Sequence, residues 1–264
     1  VPVMDEGGKD IVPASTEICF QNVKFSYGKK VILNDMTFTI PEKKMTAIVG
    51  PSGSGKTTLC SLIPRFWDVD AGAVSIGGVN VKDYTLNSLM KNVSMVFQKV
   101  YLFADTIENN IKFGKPDATH EEVVEAAKRA CCHEFIMALP DGYQTKIGEG
   151  GASLSGGEKQ RISIARALIK DAQIVIFDEA TANVDPENED RLQRAIEELT
   201  KDKTVIMIAH RLKTVRNAEK ILVLNDGKIA QEGRHEDLIK ESGIYADFVN
   251  GRKEAIGWKL GKQA

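Results

Sequence analysis

No stretch of this 264-residue sequence is apolar over the roughly 18 residues that a membrane-crossing helix needs. The longest bare apolar runs, Ile174–Phe177 and Val205–Ala209, are of strand length. The start lacks the basic, apolar and small-residue order of a secretory signal. Charge of one sign is also missing: 35 basic side chains nearly cancel 37 acidic ones. No bulk field therefore draws the chain to nucleic acid or to an anionic surface, and nucleic acid is not an expected partner. The cysteines are four and unpatterned. Cys19 and Cys60 stand alone in apolar surroundings, Cys131 and Cys132 adjoin in a segment that reads as helix, and no C-x-x-C occurs. Adjacent thiols bridge only with strain, so neither a disulfide framework nor a zinc site is indicated. Buried thiols in a reducing compartment fit better, which points to the cytoplasm. Val1, where a methionine would start translation, reads as the mark of an excised or processed piece or, equally, of an added tail.

What is present is periodic. Residues 1–15, with Pro2, Gly7, Gly8 and Pro13, read as a linker, and residues 252–264 as a tail. Ile18 and Phe20, then Val23, Phe25 and Tyr27, alternate in two phases, which predicts a strand with an irregularity near Gln21-Asn22. Phe38–Ile40, Met45–Val49 and Val93–Phe97 read as further strands, and Gly77-Gly78 as a hairpin between Val74/Ile76 and Val79/Val81. From Thr106 to about Lys170 the period turns helical. Beyond it, bare apolar strands alternate with helices, one of them opened by Asp185-Pro186-Glu187 and carrying Leu192, Ala195, Ile196 and Leu199 on one face. Short apolar strands between helices indicate a buried parallel sheet. The expected fold class is α/β: a mostly parallel core, an antiparallel β piece near the start, and an inserted helical part at about 100–168.

Gly50-Pro51-Ser52-Gly53-Ser54-Gly55-Lys56-Thr57 fits G-x-x-x-x-G-K-[ST], with Met45–Val49 running into it and a helix over Thr57–Ile63 leaving it. Glycines let successive N–H groups turn inward around a β-phosphate. Lys56 reaches the β- and γ-phosphates and the Thr57 hydroxyl can ligate Mg²⁺. The motif implies a nucleoside triphosphate, and kinases, GTPases and motors share it. Ile174–Phe177 then ends in Asp178-Glu179. Asp178, at the C-terminal edge of a parallel strand, can hold the Mg²⁺ hydration shell, and Glu179 can polarise the attacking water as general base.

Leu154-Ser155-Gly156-Gly157-Glu158-Lys159-Gln160-Arg161 opens a second helix as an anion site. Ahead of the Asp178 strand, it resembles the signature motif of ATP-binding cassette (ABC) ATPases. The resemblance spans about Thr16 to Gly251 and implies a RecA-like P-loop NTPase core with ATP and Mg²⁺ as its ligands. It implies adenine stacking by Tyr27, a further loop contact from Thr58, a Q-loop glutamine at Gln98 that touches Mg²⁺ and bears on a membrane domain, and a switch histidine at His210. Ala182-Asn183-Val184-Asp185 resembles the D-loop, though S-A-L-D is the commoner form, and Asp185 keeps the aspartate. Ile147-Gly148-Glu149-Gly150-Gly151 and Phe103–Ile111 resemble the exporters among multidrug and lipid half-transporters. There the membrane domain precedes this domain, which sits at the cytoplasmic face.

The family arrangement is a head-to-tail dimer with each ATP between Lys56 of one copy and Ser155 of the other. The expected partners are thus a transmembrane domain and a second nucleotide-binding domain. Three alternatives differ in what they need. A separately encoded importer-type ATPase subunit would have no spanning segments upstream of Val1. A non-transport ABC ATPase would carry a long coiled-coil insertion or a tandem cassette, and a P-loop kinase would lack the signature.

Overall fold

Alternating and helical periods settle the elements in chain order. β1 (Ile18–Tyr27), β2 (Lys30–Ile40), β3 (Met45–Val49), α1 (Lys56–Leu62), β4 (Ala71–Ile76), β5 (Val79–Asn80), α2 (Leu86–Asn92) and β6 (Val93–Val96) come first. A helical run follows: α3 (Ile107–Lys112), α4 (His120–Arg129), α5 (His133–Met137) and α6 (Gly156–Lys170). Then come β7 (Ile174–Asp178), α7 (Pro186–Thr200), β8 (Thr204–Ile208), α8 (Leu212–Arg216), β9 (Lys220–Asn225), β10 (Lys228–Gly233) and α9 (His235–Leu238). The computed structural model describes residues 7–148, 154–178, 186–209 and 212–251. They form two units, Val1–Met90 with Thr204–Ala264, and Lys91–Lys203.

In the first unit, β1 lies between β2 and β4, with β5 beyond β4, all antiparallel. Phe20 pairs with Phe38, and their rings stack at 4.6 Å. The register slips between Phe20 and Val23, where Asn22 takes φ 49°, so the buried side chains change phase as the sequence predicted. β2 begins eight residues before the Phe38 start read from the sequence. Asp35, at φ 56°, breaks its alternation, and Leu33 and Met36 both turn inward. Val81, expected on the returning strand, lies in a 3₁₀ turn over Val81–Asp83, capped by the Asn80 side chain.

In the same unit β3 runs parallel to β8 on one side and to β9 on the other, and β10 folds back antiparallel on β9. Ala47 and Val49 of β3 pack with Ile221, Val223, Leu238, Tyr245 and Val249 in one apolar cluster. Its burial holds the C-terminal end of β3 in place.

In the second unit β6 and β7 pair in parallel, and α6 packs against α3, α4 and α7. A capping box joins Thr119 and Glu122 at the start of α4. Leu192, Ala195 and Leu199 of α7 are buried, as their spacing predicted, while Ile196 on the same face is half-buried. The adjacent cysteines are not helical. α4 stops at Arg129, Cys131 takes a left-handed φ of 54°, and Cys132 precedes α5. None of the four cysteines is in a disulfide, and only Cys60 and Cys132 are buried. Burial pushes the Cys132 thiol up to about 12. Among the described residues, no helix is long and apolar enough to cross a membrane.

Candidate functional site

In the first unit, β3 delivers the chain at Val49 into a loop that turns from Gly50 to Gly55 before α1 starts at Lys56. Gly55 takes φ 102°, and a Cβ there would meet Leu33 Cδ2 at 2.8 Å. Only glycine lets the loop lie this close to β2. The Lys56 ammonium is buried and donates to the carbonyl oxygens of Gly50 (2.9 Å) and Pro51 (2.8 Å). Ser54 Oγ is buried without a hydrogen-bond partner, and it lies 3.0 Å from where a Gly50 Cβ would stand. A curled loop with an inward ammonium and an orphaned hydroxyl fits a phosphate chain, which supplies acceptors for both. Pro51, Ser52, Gly53 and Thr57 are exposed along its rim, Thr58 is half-buried, and Leu59 anchors the helix in the core.

Tyr27 stands at the tip of the β1–β2 hairpin, opposite Lys30. Further along β2, Ile32 and Leu33 abut Gly55 of the loop. The Tyr27 ring is 40% exposed and meets Phe25 at 4.8 Å and 89°, and Trp67 at 5.2 Å and 82°. Neither neighbour is stacked on it. Sequence reasoning passed over Trp67, because its contact with Tyr27 joins residues forty positions apart.

The second unit carries the other residues. Ser155 caps α6: its Oγ accepts from the Glu158 N–H at 3.3 Å, and its own N–H donates to Glu158 Oε2 at 2.8 Å. Gly156 is exposed with no heavy atom near the position a Cβ would take, whereas Leu154 and Gly157 are buried. Ser155 and Gly156 thus stand exposed at the N-terminus of a fifteen-residue helix, whose dipole favours an anion there. Asp178 is the half-buried last residue of β7. The strand expected over Val93–Phe97 ends at Val96, and Gln98 is exposed in the bend beyond. Glu179, Ala182–Asp185, His210 and Glu149-Gly150-Gly151 lie outside the described residues.

One cluster in this unit was not found from the sequence. Arg166 of α6 donates from Nε to the Asn110 carbonyl (2.8 Å) and from Nη1 to the Tyr101 carbonyl (3.2 Å), with Phe103 and Phe113 against its guanidinium at 5.4 and 5.5 Å. Burial lowers the Arg166 pKa to about 10. Tyr101, Phe103 and Phe113 are all exposed, Phe113 by 63%. No short motif marks them, because the arginine that gathers them is distant in sequence.

The family model described as ABC transporter matches residues 33–182. The chain belongs to the ABC transporter family. The ATP-dependent lipid A-core flippase of Desulfotalea psychrophila is 50% identical over 240 residues, which cover 91% of this chain and 42% of that protein. The multidrug export ATP-binding/permease protein YgaD of Bacillus subtilis is 49% identical over 228 residues, 86% of this chain and 39% of the relative. A solved bacterial Atm1-family ABC exporter with ATP bound aligns at a TM-score of 0.88 and 39% identity, over 95% of this chain and 44% of that one. The chain spans about two-fifths of the length of the curated relatives it matches. It is an ABC ATPase domain with the P-loop NTPase fold, and nucleotide is the ligand of such a domain.

Proposed function

We propose that this ABC domain binds MgATP and hydrolyses it to ADP and phosphate, and that two copies closing head to tail on ATP drive export of a lipid or similar amphiphile. The second anion site carries the reading. A loop around Lys56 suffices to hold a triphosphate, so an open, capped N-terminus at Ser155 has no role within one copy. In a two-fold dimer it meets the γ-phosphate held by the other copy. ATP then joins the copies, and hydrolysis removes the contact. The flippase and multidrug-export relatives support export of an amphiphile.

The residue roles follow from the chemistry. Gly50, Pro51, Ser52, Gly53, Ser54, Gly55, Thr57 and Thr58 surround the phosphates, and Tyr27 stacks on the base. Leu154, Gly156, Gly157 and Glu158 build the cap that presents Ser155. Mg²⁺, held by Thr57, Asp178 and Gln98, would neutralise the phosphate charge that develops in the transition state. Glu179 accepts a proton from the attacking water, His210 donates to the γ-phosphate, and Asp185 orders the contact between copies. Lys56 stabilises charge at the γ-phosphate, so Lys56→Ala lowers kcat by roughly a hundredfold or more. The exposed Tyr101, Phe103 and Phe113 rings, downstream of Gln98, suit a helix of a transmembrane domain at the cytoplasmic face.

A chain with Glu179→Gln binds MgATP without turning it over. In sedimentation it reaches twice the 29.0 kDa monomer mass with MgATP and stays monomeric with MgADP. A monomer under both conditions would remove the head-to-tail reading.

A further inference from the structure

We propose that Trp67 is a positioning residue for the adenine base: it fixes the plane of the Tyr27 ring and so sets the affinity for ATP over triphosphates without a base. The inference rests on the reading that Tyr27 takes the base.

The geometry begins with the loop after α1. Arg65 takes a left-handed φ of 56° and is only 4% exposed, an unusual place for a long charged side chain. Its guanidinium holds Asp68 through Nε to Oδ1 at 2.8 Å and Nη2 to Oδ2 at 3.3 Å, a bidentate clamp across Phe66 and Trp67. The Phe66 N–H donates to the Ser61 carbonyl at 3.0 Å, and the Asp70 N–H donates to the Lys24 carbonyl of β1 at 2.8 Å. The loop is therefore tied at both ends, and its far end is tied to the strand that carries Tyr27. A strained backbone and a buried cation are costly unless they serve what they present.

They present an indole. Trp67 lies at 82° to Tyr27 and at 54° to Phe25, while Phe25 lies at 89° to Tyr27. Two near-perpendicular neighbours restrict the rotation of the Tyr27 ring, and edge-to-face contacts favour that arrangement. Since neither neighbour is stacked on Tyr27, a base can be. Trp67 is itself 41% exposed, so it borders the space a base on Tyr27 would enter. Pre-orienting the ring removes the entropy that a free tyrosine loses on stacking.

The test measures binding of MgATP and of inorganic tripolyphosphate to the domain. Trp67→Leu keeps apolar bulk against Phe25 but has no ring edge. It weakens MgATP about five- to tenfold and tripolyphosphate less than twofold, and Trp67→Phe restores most of the loss. KM for ATP rises while kcat at saturating ATP changes less than twofold. Independently of any variant at this site, a Trp258→Phe chain leaves Trp67 as the sole tryptophan. ATP shifts or quenches its emission and tripolyphosphate does not. Equal losses for both ligands in Trp67→Leu, or an emission blind to ATP, would overturn the inference. Tyr27→Ala separates the two claims. If it weakens ATP selectively and Trp67→Leu does not, only the role of Trp67 fails, and the Phe66-Trp67 face serves a protein partner. If Tyr27→Ala itself leaves ATP binding unchanged, the base-site reading fails with it.

Discussion

Ser155 and Glu158 cap each other: the serine hydroxyl accepts from the glutamate N–H at 3.3 Å, and the glutamate carboxylate accepts from the serine N–H at 2.8 Å. The cap has two separable jobs, to hold the α6 N-terminus and to offer a hydroxyl to an anion. Ser155→Ala loses both, costing about 1 kcal/mol of stability and most of the ATPase activity. Ser155→Asp still caps but sets a negative charge against the γ-phosphate of the second copy. Its melting temperature stays near that of the parent while turnover is lost. Calorimetry with phosphate release checks the pair, and an active Ser155→Asp chain would mean that no phosphate meets this residue.

Gly55 tests the phosphate loop. Alanine there must hold φ 102° and place its Cβ 2.8 Å from Leu33 Cδ2. Gly55→Ala should destabilise the domain by about 1–3 kcal/mol in urea unfolding. ATP affinity should fall further than that loss explains, because the loop backs away from β2. Trimming the clash with Leu33→Ala would restore part of the affinity and none of the backbone strain.

Asp68 predicts a pH dependence. Hydrogen bonds from Arg65 hold its carboxyl below the usual carboxylate range. A depressed folded pKa stabilises the protein above the unfolded value, near 4, and that contribution is lost as pH falls through the lower folded value. Asp68→Asn leaves Arg65 buried beside a neutral amide. Asp68 is 38% exposed and solvent screens the pair, so the change should cost only about 0.5–1 kcal/mol near neutral pH and flatten the acid limb of the stability curve. Denaturant melts between pH 3 and 7 show both effects.

Phe113 is the most exposed ring of its cluster. Phe113→Ala should change the stability of the isolated domain by less than about 1 kcal/mol and leave its ATPase intact. In the exporter proposed above, with its membrane domain present in lipid vesicles, the same change should lower stimulation of the ATPase by transported substrate. Normal stimulation would move the membrane-domain contact elsewhere.

Much of this was legible in the sequence because the chemistry is local. The loop at Gly50–Thr57 and the cap at Ser155 each need a fixed order of residue types within one turn, so position along the chain suffices. Boundaries were misread where a left-handed residue broke the period, as at Asp35 in β2 and Cys131 after α4. What the sequence hid depends on distant partners. Arg166 gathers Tyr101, Phe103 and Phe113 from another part of the chain, and Trp67 gains meaning only because β1 brings Tyr27 alongside.

The head-to-tail site is tested most directly by mixing two dead chains. A Lys56→Ala homodimer lacks the ammonium at both sites, and a Ser155→Ala homodimer lacks the hydroxyl at both. In their heterodimer both defects fall in one site, and the other is whole. Half the dimers in an equal mixture are mixed, each with one working site, so phosphate release should recover to about a quarter of the parent rate. A mixture no more active than its two components would contradict a site shared between copies.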